Sequence, residues 1–129
     1  IGRCHSNMIK TIIKLGVFVQ SVSSLSQLAI IAENNLKCFL QVNISEDARK
    51  AGFDLSTALE VRGRFSGNIT GVMTILAADL SRQARLEQFK RLRNTFPDLK
   101  LSAGMSDDWE EAIEAGSDIL RIGRLIFQR

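Results

Sequence analysis

Tyrosine is absent from the 129-residue chain, and tryptophan, proline and histidine occur once each. Without tyrosine there is no phenol to serve as a base. The single histidine, His5, has no second ligand or acid beside it and reads as a polar loop residue rather than a catalyst. The two cysteines, Cys4 and Cys38, show no zinc spacing and no disulfide framework, so a reducing cytoplasm is the expected compartment. No apolar run is long enough to span a bilayer. Lys10 and Lys14 interrupt the only early apolar stretch, so no signal peptide is expected. An excess of either charge is also missing: 17 Lys and Arg face 14 Asp and Glu, and the two signs are mixed along the chain. That balance argues against a dedicated nucleic-acid binder and leaves an anionic small ligand open.

What is present is alternation. Apolar, β-rich runs lie at 17–22, 38–44, 69–75, 99–103 and 118–122, with a stub of the same kind at Ile1-Gly2. Helical spacing fills the intervals at 8–15, 25–34, 55–61 and 81–95, with Ser23-Ser24 and Ser81 as starts and Pro97 as a stop. Strands alternating with helices through short connections predict parallel strands with helices outside them. No dinucleotide-type glycine fingerprint follows the first strand. The expected fold is therefore α/β, a partial (β/α) TIM-type barrel of about five or six parallel strands with outer helices. A whole barrel takes about 250 residues. This sequence reads as a single domain equivalent to the later part of one, incomplete at its N-terminus.

The C-terminal stretch carries the chemistry. The strand at 99–103 breaks at Gly104-Met105-Ser106, and a helix begins at Asp107 or Asp108, with Trp109, Ala112 and Ile113 on one face. Asp107 and Glu110 have the spacing of a capping box, and Gly116 stops the helix. The next strand ends at Gly123, just after Arg121, and Leu125-Ile126-Phe127 opens a further short helix. Two glycine turns at one rim of a parallel sheet offer unpaired amides to an anion, and Arg121 adds a fixed charge. A (β/α) barrel commonly holds phosphate in the loops after its last two strands. The same glycines also serve an ordinary need, since any βα connection must turn.

Five segments, in order, resemble the pyridoxal-phosphate homeostasis proteins (the YggS/PROSC family, with an alanine-racemase-type barrel). Ile1-Gly2 with Ser6-Asn7 is similar to that family's IGHLQSNK segment. Leu40-Gln41-Val42-Asn43-Ile44-Ser45 followed by Lys50-Ala51-Gly52-Phe53 is similar to LQVNIS and KSGF. Gly71-Val72-Met73-Thr74-Ile75 resembles GLMTI, Leu101 to Asp108 resembles LSMGMSDD, and Arg121-Ile122-Gly123 resembles the RIG turn. The resemblance implies a pocket for pyridoxal 5′-phosphate (PLP) at the strand C-terminal rim. It assigns the phosphate to the backbone of Gly104, Met105, Ser106 and Gly123, the pyridine nitrogen to Arg121, and the side of the ring to Met73. A cation facing the pyridine nitrogen disfavours ring protonation and weakens the ring as an electron sink. That suits a carrier and regulator of the cofactor, in vitamin B6 homeostasis, more than a catalyst.

The sequence also departs from the family pattern. The family's Schiff-base lysine and a GEN motif precede Ile1 and have no counterpart here. Lys50 follows a strand on the correct rim but occupies the KSGF position, where a loop role is expected. Arg124 stands in place of a threonine; it loses a hydroxyl donor and gains a charge able to pair with phosphate. Two other function classes are weighed. An enzyme of racemase or phosphate-isomerase type needs a base at the rim, and no lysine, tyrosine or cysteine presents itself. A nucleic-acid module would use Arg82, Arg85, Lys90, Arg91 and Arg93, yet Leu86, Phe89, Leu92 and Phe96 on the same helix make these a solvated face over an apolar one. A barrel lacking its first strands also leaves two open edges, through which self-association is possible.

Overall fold

The structure, a computed structural model, describes residue 2 and residues 6–127, without the side chains of residues 6 and 7. Ile1, Cys4 and His5 lie outside the described residues, and with them the expected N-terminal strand stub and the reading of His5. The elements alternate as expected: α1 Ser6–Leu15, β1 Val19–Val22, α2 Leu25–Glu33, β2 Cys38–Gln41, α3 Leu55–Arg64, β3 Ile69–Met73, α4 Arg82–Thr95, β4 Lys100–Ser102, α5 Trp109–Glu114 and α6 Arg124–Phe127. The four strands form one parallel sheet in the order β1-β2-β3-β4. This is the α/β, partial-barrel architecture read from the alternation.

Side-chain caps set several boundaries. Ser24 accepts from the Gln27 amide, Asp54 from Thr57 and Ser81 from Ala84, each satisfying a donor that the first helical turn leaves free. α4 ends at Thr95, two residues before Pro97. Periodicity places the main core on one face of the sheet. Val22, Leu40, Val72 and Leu101 stand in register across the four strands and share one apolar cluster with Leu28, Ile31, Ala58, Val61, Phe89, Leu92, Phe96 and Ala112 from the helices.

Alternation turns the neighbours of those residues to the opposite, barrel-interior face. One row there is Phe39, Gly71 and Lys100, and the next is Gln41, Met73 and Ser102. A Cβ at Gly71 would lie 2.4 Å from the Phe39 ring and 2.7 Å from the Lys100 carbonyl, so only glycine lets Phe39 lie across the sheet. Phe18 meets Phe39 edge-on with ring centroids 5.0 Å apart.

Two expectations change in extent. The run at 38–44 is strand only over Cys38–Gln41, because Val42 bridges to Phe53 in the following loop. The expected fifth strand at 118–122 is reduced to a single parallel bridge between Ser102 and Ile119. Its first bonds are ladder-like: Ile119 N–H donates to Leu101 O, and Ala103 N–H to Ile119 O. Ser117 Oγ then donates to Ala103 O (2.8 Å), and the Arg121 amide shifts onward to Gly104 O (2.9 Å). A side chain has taken the acceptor that the ladder needed next.

Candidate functional site

The strand ends and loops on the C-terminal side of β4 enclose a cavity of about 280 Å³, lined by Met105, Ser106, Asp107, Arg121, Gly123 and Arg124. It lies near the lower end of the size range of small-molecule pockets, roughly 300–1,000 Å³. Five of the seven residues singled out in the sequence line it. Gly104 is buried and is not among the lining residues, and Met73 is fully buried in the row containing Ser102.

Gly104 makes the turn. Its φ of +96° is left-handed, and a Cβ there would lie 2.7 Å from both Ala112 Cβ and Leu120 Cδ2. The following loop is held by Asp108, whose Oδ1 accepts the Met105 amide at 2.6 Å. This corrects the capping-box expectation. Asp108 is the N-cap residue of α5 and gives its helix no side-chain bond, while Glu110 faces Arg82 at 3.8 Å. It also commits the Met105 amide to a protein carboxylate. The amides of Ser106 and Gly123 have no acceptor among the described residues. Ser106 Oγ accepts from Leu125 N–H (3.1 Å), which ties the turn to α6.

Arg121 is half-buried and reaches across the sheet. Nη1 donates to Ser102 Oγ (2.8 Å) and Nη2 to Thr74 O (2.7 Å), at the ends of β4 and β3. Ser102 Oγ in turn donates to Gln20 Oε1 on β1 at 2.8 Å. The third nitrogen, Nε, is buried and has no partner among the described residues. Burial pulls the guanidinium below its ordinary pKa, and the nearby Asp108 carboxylate opposes that pull. An unmatched buried donor on a cation is costly, and an acceptor arriving from the cavity side would satisfy it. Arg124 stands at the mouth, exposed, with Nη2 ion-paired to Asp107. Two arginines, two unpaired amides and an unmatched Nε suit an anionic ligand that also carries an acceptor atom.

No protein-family model matches the chain. A pyridoxal phosphate homeostasis protein of Synechocystis sp. is 32% identical over 146 residues, covering 98% of this chain and 67% of the relative. The chain belongs to the pyridoxal phosphate homeostasis protein family. A member of the same name from Pseudomonas aeruginosa is 34% identical over 142 residues, 98% of this chain and 62% of the relative. The chain thus spans 62–67% of the length of these two relatives. Among solved structures, PipY of Synechococcus elongatus without PLP superimposes with a TM-score of 0.85 at 26% identity, over 99% of this chain and 69% of PipY. PipY with PLP bound superimposes with a TM-score of 0.80 at 26% identity, over 99% and 68%.

Within this family framework, sequence reasoning missed the residues that hold the site together. Gln20, Thr74 and Ser102 act through contacts 19 to 82 residues apart in sequence, which no local pattern reveals. Lys50 is half-buried rather than a free loop side chain: Nζ donates to Ile75 O at 3.2 Å and also to Leu76 O. It lines a second rim cavity of about 220 Å³ with Gly2, Ser23, Gln41, Arg49, Ala51 and Ile75. Its rim position after β2 was the available signal. Cys38 is no hidden nucleophile, because burial pushes its thiol up to about 12. The basic face of α4 is largely engaged: Arg82 faces Glu110 and Glu111, Lys90 pairs with Glu114, and Arg93 with Asp118. No group of three or more metal-ligating side chains occurs among the described residues, and none of their helices is long and apolar enough to cross a membrane.

Proposed function

We propose that this chain binds pyridoxal 5′-phosphate at the cavity beside β4 and serves PLP homeostasis as a carrier rather than a catalyst. The observation that carries the reading is the convergence of Arg121, with its unmatched buried Nε, and Arg124 on a cavity edged by the free amides of Ser106 and Gly123. Membership of the family and the PLP-bound state of PipY support it. Ser106, Gly123 and Arg124 take the phosphate. Arg121 takes the pyridine nitrogen, Gly104 shapes the turn and Met105 provides the apolar side, with Met73 packed in the buried row beside Ser102. When bound, PLP supplies an electrophilic aldehyde and an electron-withdrawing ring. None of the described residues lining the cavity is a lysine, and the mode of binding proposed for it is noncovalent. The same reading places the chain in the cytoplasm with neither nucleic acid nor membrane as partner. The outer edge of β1 and the far side of the segment bridged to β4 at Ile119 are the routes by which copies would associate.

Titration of the purified chain with PLP, followed by absorbance and by mass spectrometry after borohydride, tests this. The expected result is weak binding that depends on the phosphate and leaves no specific pyridoxyl-lysine adduct. Ser106→Ala and Arg121→Ala are each expected to weaken binding. Unchanged affinity in both overturns the site, and a stoichiometric adduct at one lysine overturns the noncovalent mode.

A further inference from the structure

The cavity beside β4 contains its own anion. Asp107 and Arg124 both line it and pair with each other across the mouth, with side chains 72% and 60% exposed. The two adjacent carboxylates have different duties. Asp108 is fixed on the Met105 amide, whereas the Asp107 carboxylate has Arg124 as its ion-pair partner. The Asp107 backbone is anchored, because Arg85 Nη1 donates to its carbonyl at 2.6 Å while Nη2 holds Ala78 O at 3.2 Å. On the other side, the Ser106–Leu125 bond fixes the chain beside Arg124. Both partners therefore sit on tethered backbone with side chains free to swing. Exposed ion pairs of this kind add little to stability, so exchanging the partner costs little. An arginine fork donates paired bonds to a phosphate as readily as to a carboxylate, whereas the contact with Asp107 uses Nη2 alone, and a phosphate dianion brings the larger charge.

We propose that Asp107 is a built-in competitor for phosphate: Arg124 rests on it until a phosphate dianion displaces the carboxylate, so that the exchange moderates the grip on the phosphate and keeps the ligand readily released. This rests on the reading that the cavity takes the PLP phosphate, and it adds an affinity-setting pair to it. In the free site the carboxylate covers the cation, so ligands without a phosphate gain nothing from Arg124. With phosphate present, Asp107 is released to solvent, where hydration satisfies it.

The test is calorimetric titration of the full chain, and of Asp107→Asn, Arg124→Gln and the double variant, with PLP, with pyridoxal and with inorganic phosphate. Asp107→Asn is expected to tighten PLP and phosphate about three- to tenfold and to leave pyridoxal within about twofold. Arg124→Gln is expected to weaken PLP roughly tenfold. In that background Asp107→Asn then shifts affinity by less than about twofold. Because both side chains are exposed, circular dichroism and Tm of the variants should match the parent. Unchanged PLP affinity in Asp107→Asn overturns the exchange while leaving the site intact. Tightening that persists in full without Arg124 also overturns it, since Asp107 then acts only as a distant charge. If neither the parent nor Asp107→Asn binds PLP or phosphate, the functional reading falls, and the exchange with it.

Discussion

Two of the rim cavities, one after β2 and one beside β4, have Lys50 and Arg121 in their walls, and the surroundings treat the two cations differently. Lys50 reaches the end of β3, and its ammonium is bonded to the Ile75 and Leu76 carbonyls, so its charge is used in fastening one loop to the next. Arg121 also fastens strand ends, through Ser102 and Thr74, yet it retains a buried donor with no partner. Location on the rim is common to both. The difference lies in how the donors are held: the bonds of the Lys50 ammonium run to loop carbonyls from one rotatable nitrogen, whereas the buried Nε–H of Arg121 is fixed in the guanidinium plane with no partner among the described residues and so invites a ligand.

Substitutions can break or sharpen that contrast. Arg121→Ala should have the largest effect, weakening PLP at least about tenfold and costing about 2–3 kcal/mol of stability, since Thr74 O loses its donor in a half-buried place. Paired PLP titration and thermal melts check it; a stability loss with full affinity would place Arg121 in the same class as Lys50. Gly104→Ala should cost about 2 kcal/mol, because the turn needs a left-handed φ and the added methyl meets Ala112 and Leu120. A fall in urea midpoint without change in m-value is the expected signature. Lys50→Met should cost about 1 kcal/mol, a few degrees in Tm, with PLP affinity within about twofold. A tenfold loss of affinity there would erase the distinction between the cavities.

The smallest effect concerns pH at the junction of β4 with the following segment. Asp118 is held below its ordinary value of 3.8, first by the Leu101 amide it accepts and then by Arg93. A depressed folded value means that its contribution is fully present above about pH 4 and is lost as pH falls through that lower value. Between pH 6 and 3 the Tm of the parent chain should fall more than that of Asp118→Asn, by a degree or two. Parallel curves would show that the carboxylate carries no linkage.

The legible part of the molecule was the part governed by local chemistry. Ser24 and Ser81 announced their helices because a short hydroxyl one residue before an apolar period has few other uses. Parallel pairing followed from strands spaced by helices, and the Gly104 turn from a glycine at the end of an apolar run. The capping box expected at Asp107 is absent because Asp108 is the N-cap and bonds back to the Met105 amide; a carboxylate at a helix start can bond forward or back, and the sequence looks alike in both cases. The last strand was overestimated because Ser117 and Asp118 place side-chain groups on the main-chain partners of β4. Arg124 was identified as a phosphate partner, while Asp107, its competitor, was read only as a cap.

The hydroxyl of Ser102 joins Gln20, 82 residues earlier, to Arg121, 19 residues later. This one atom gives the pocket a birth date. While a ribosome is still emitting the chain, β1, β2 and β3 can assemble, but the guanidinium that completes the cavity arrives only after about a hundred further residues have followed Gln20 into the folding molecule. On the proposed reading, cofactor capture therefore requires that the first described strand and the segment after β4 have met, and a nascent chain stopped short of Arg121 lacks both arginines of the cavity.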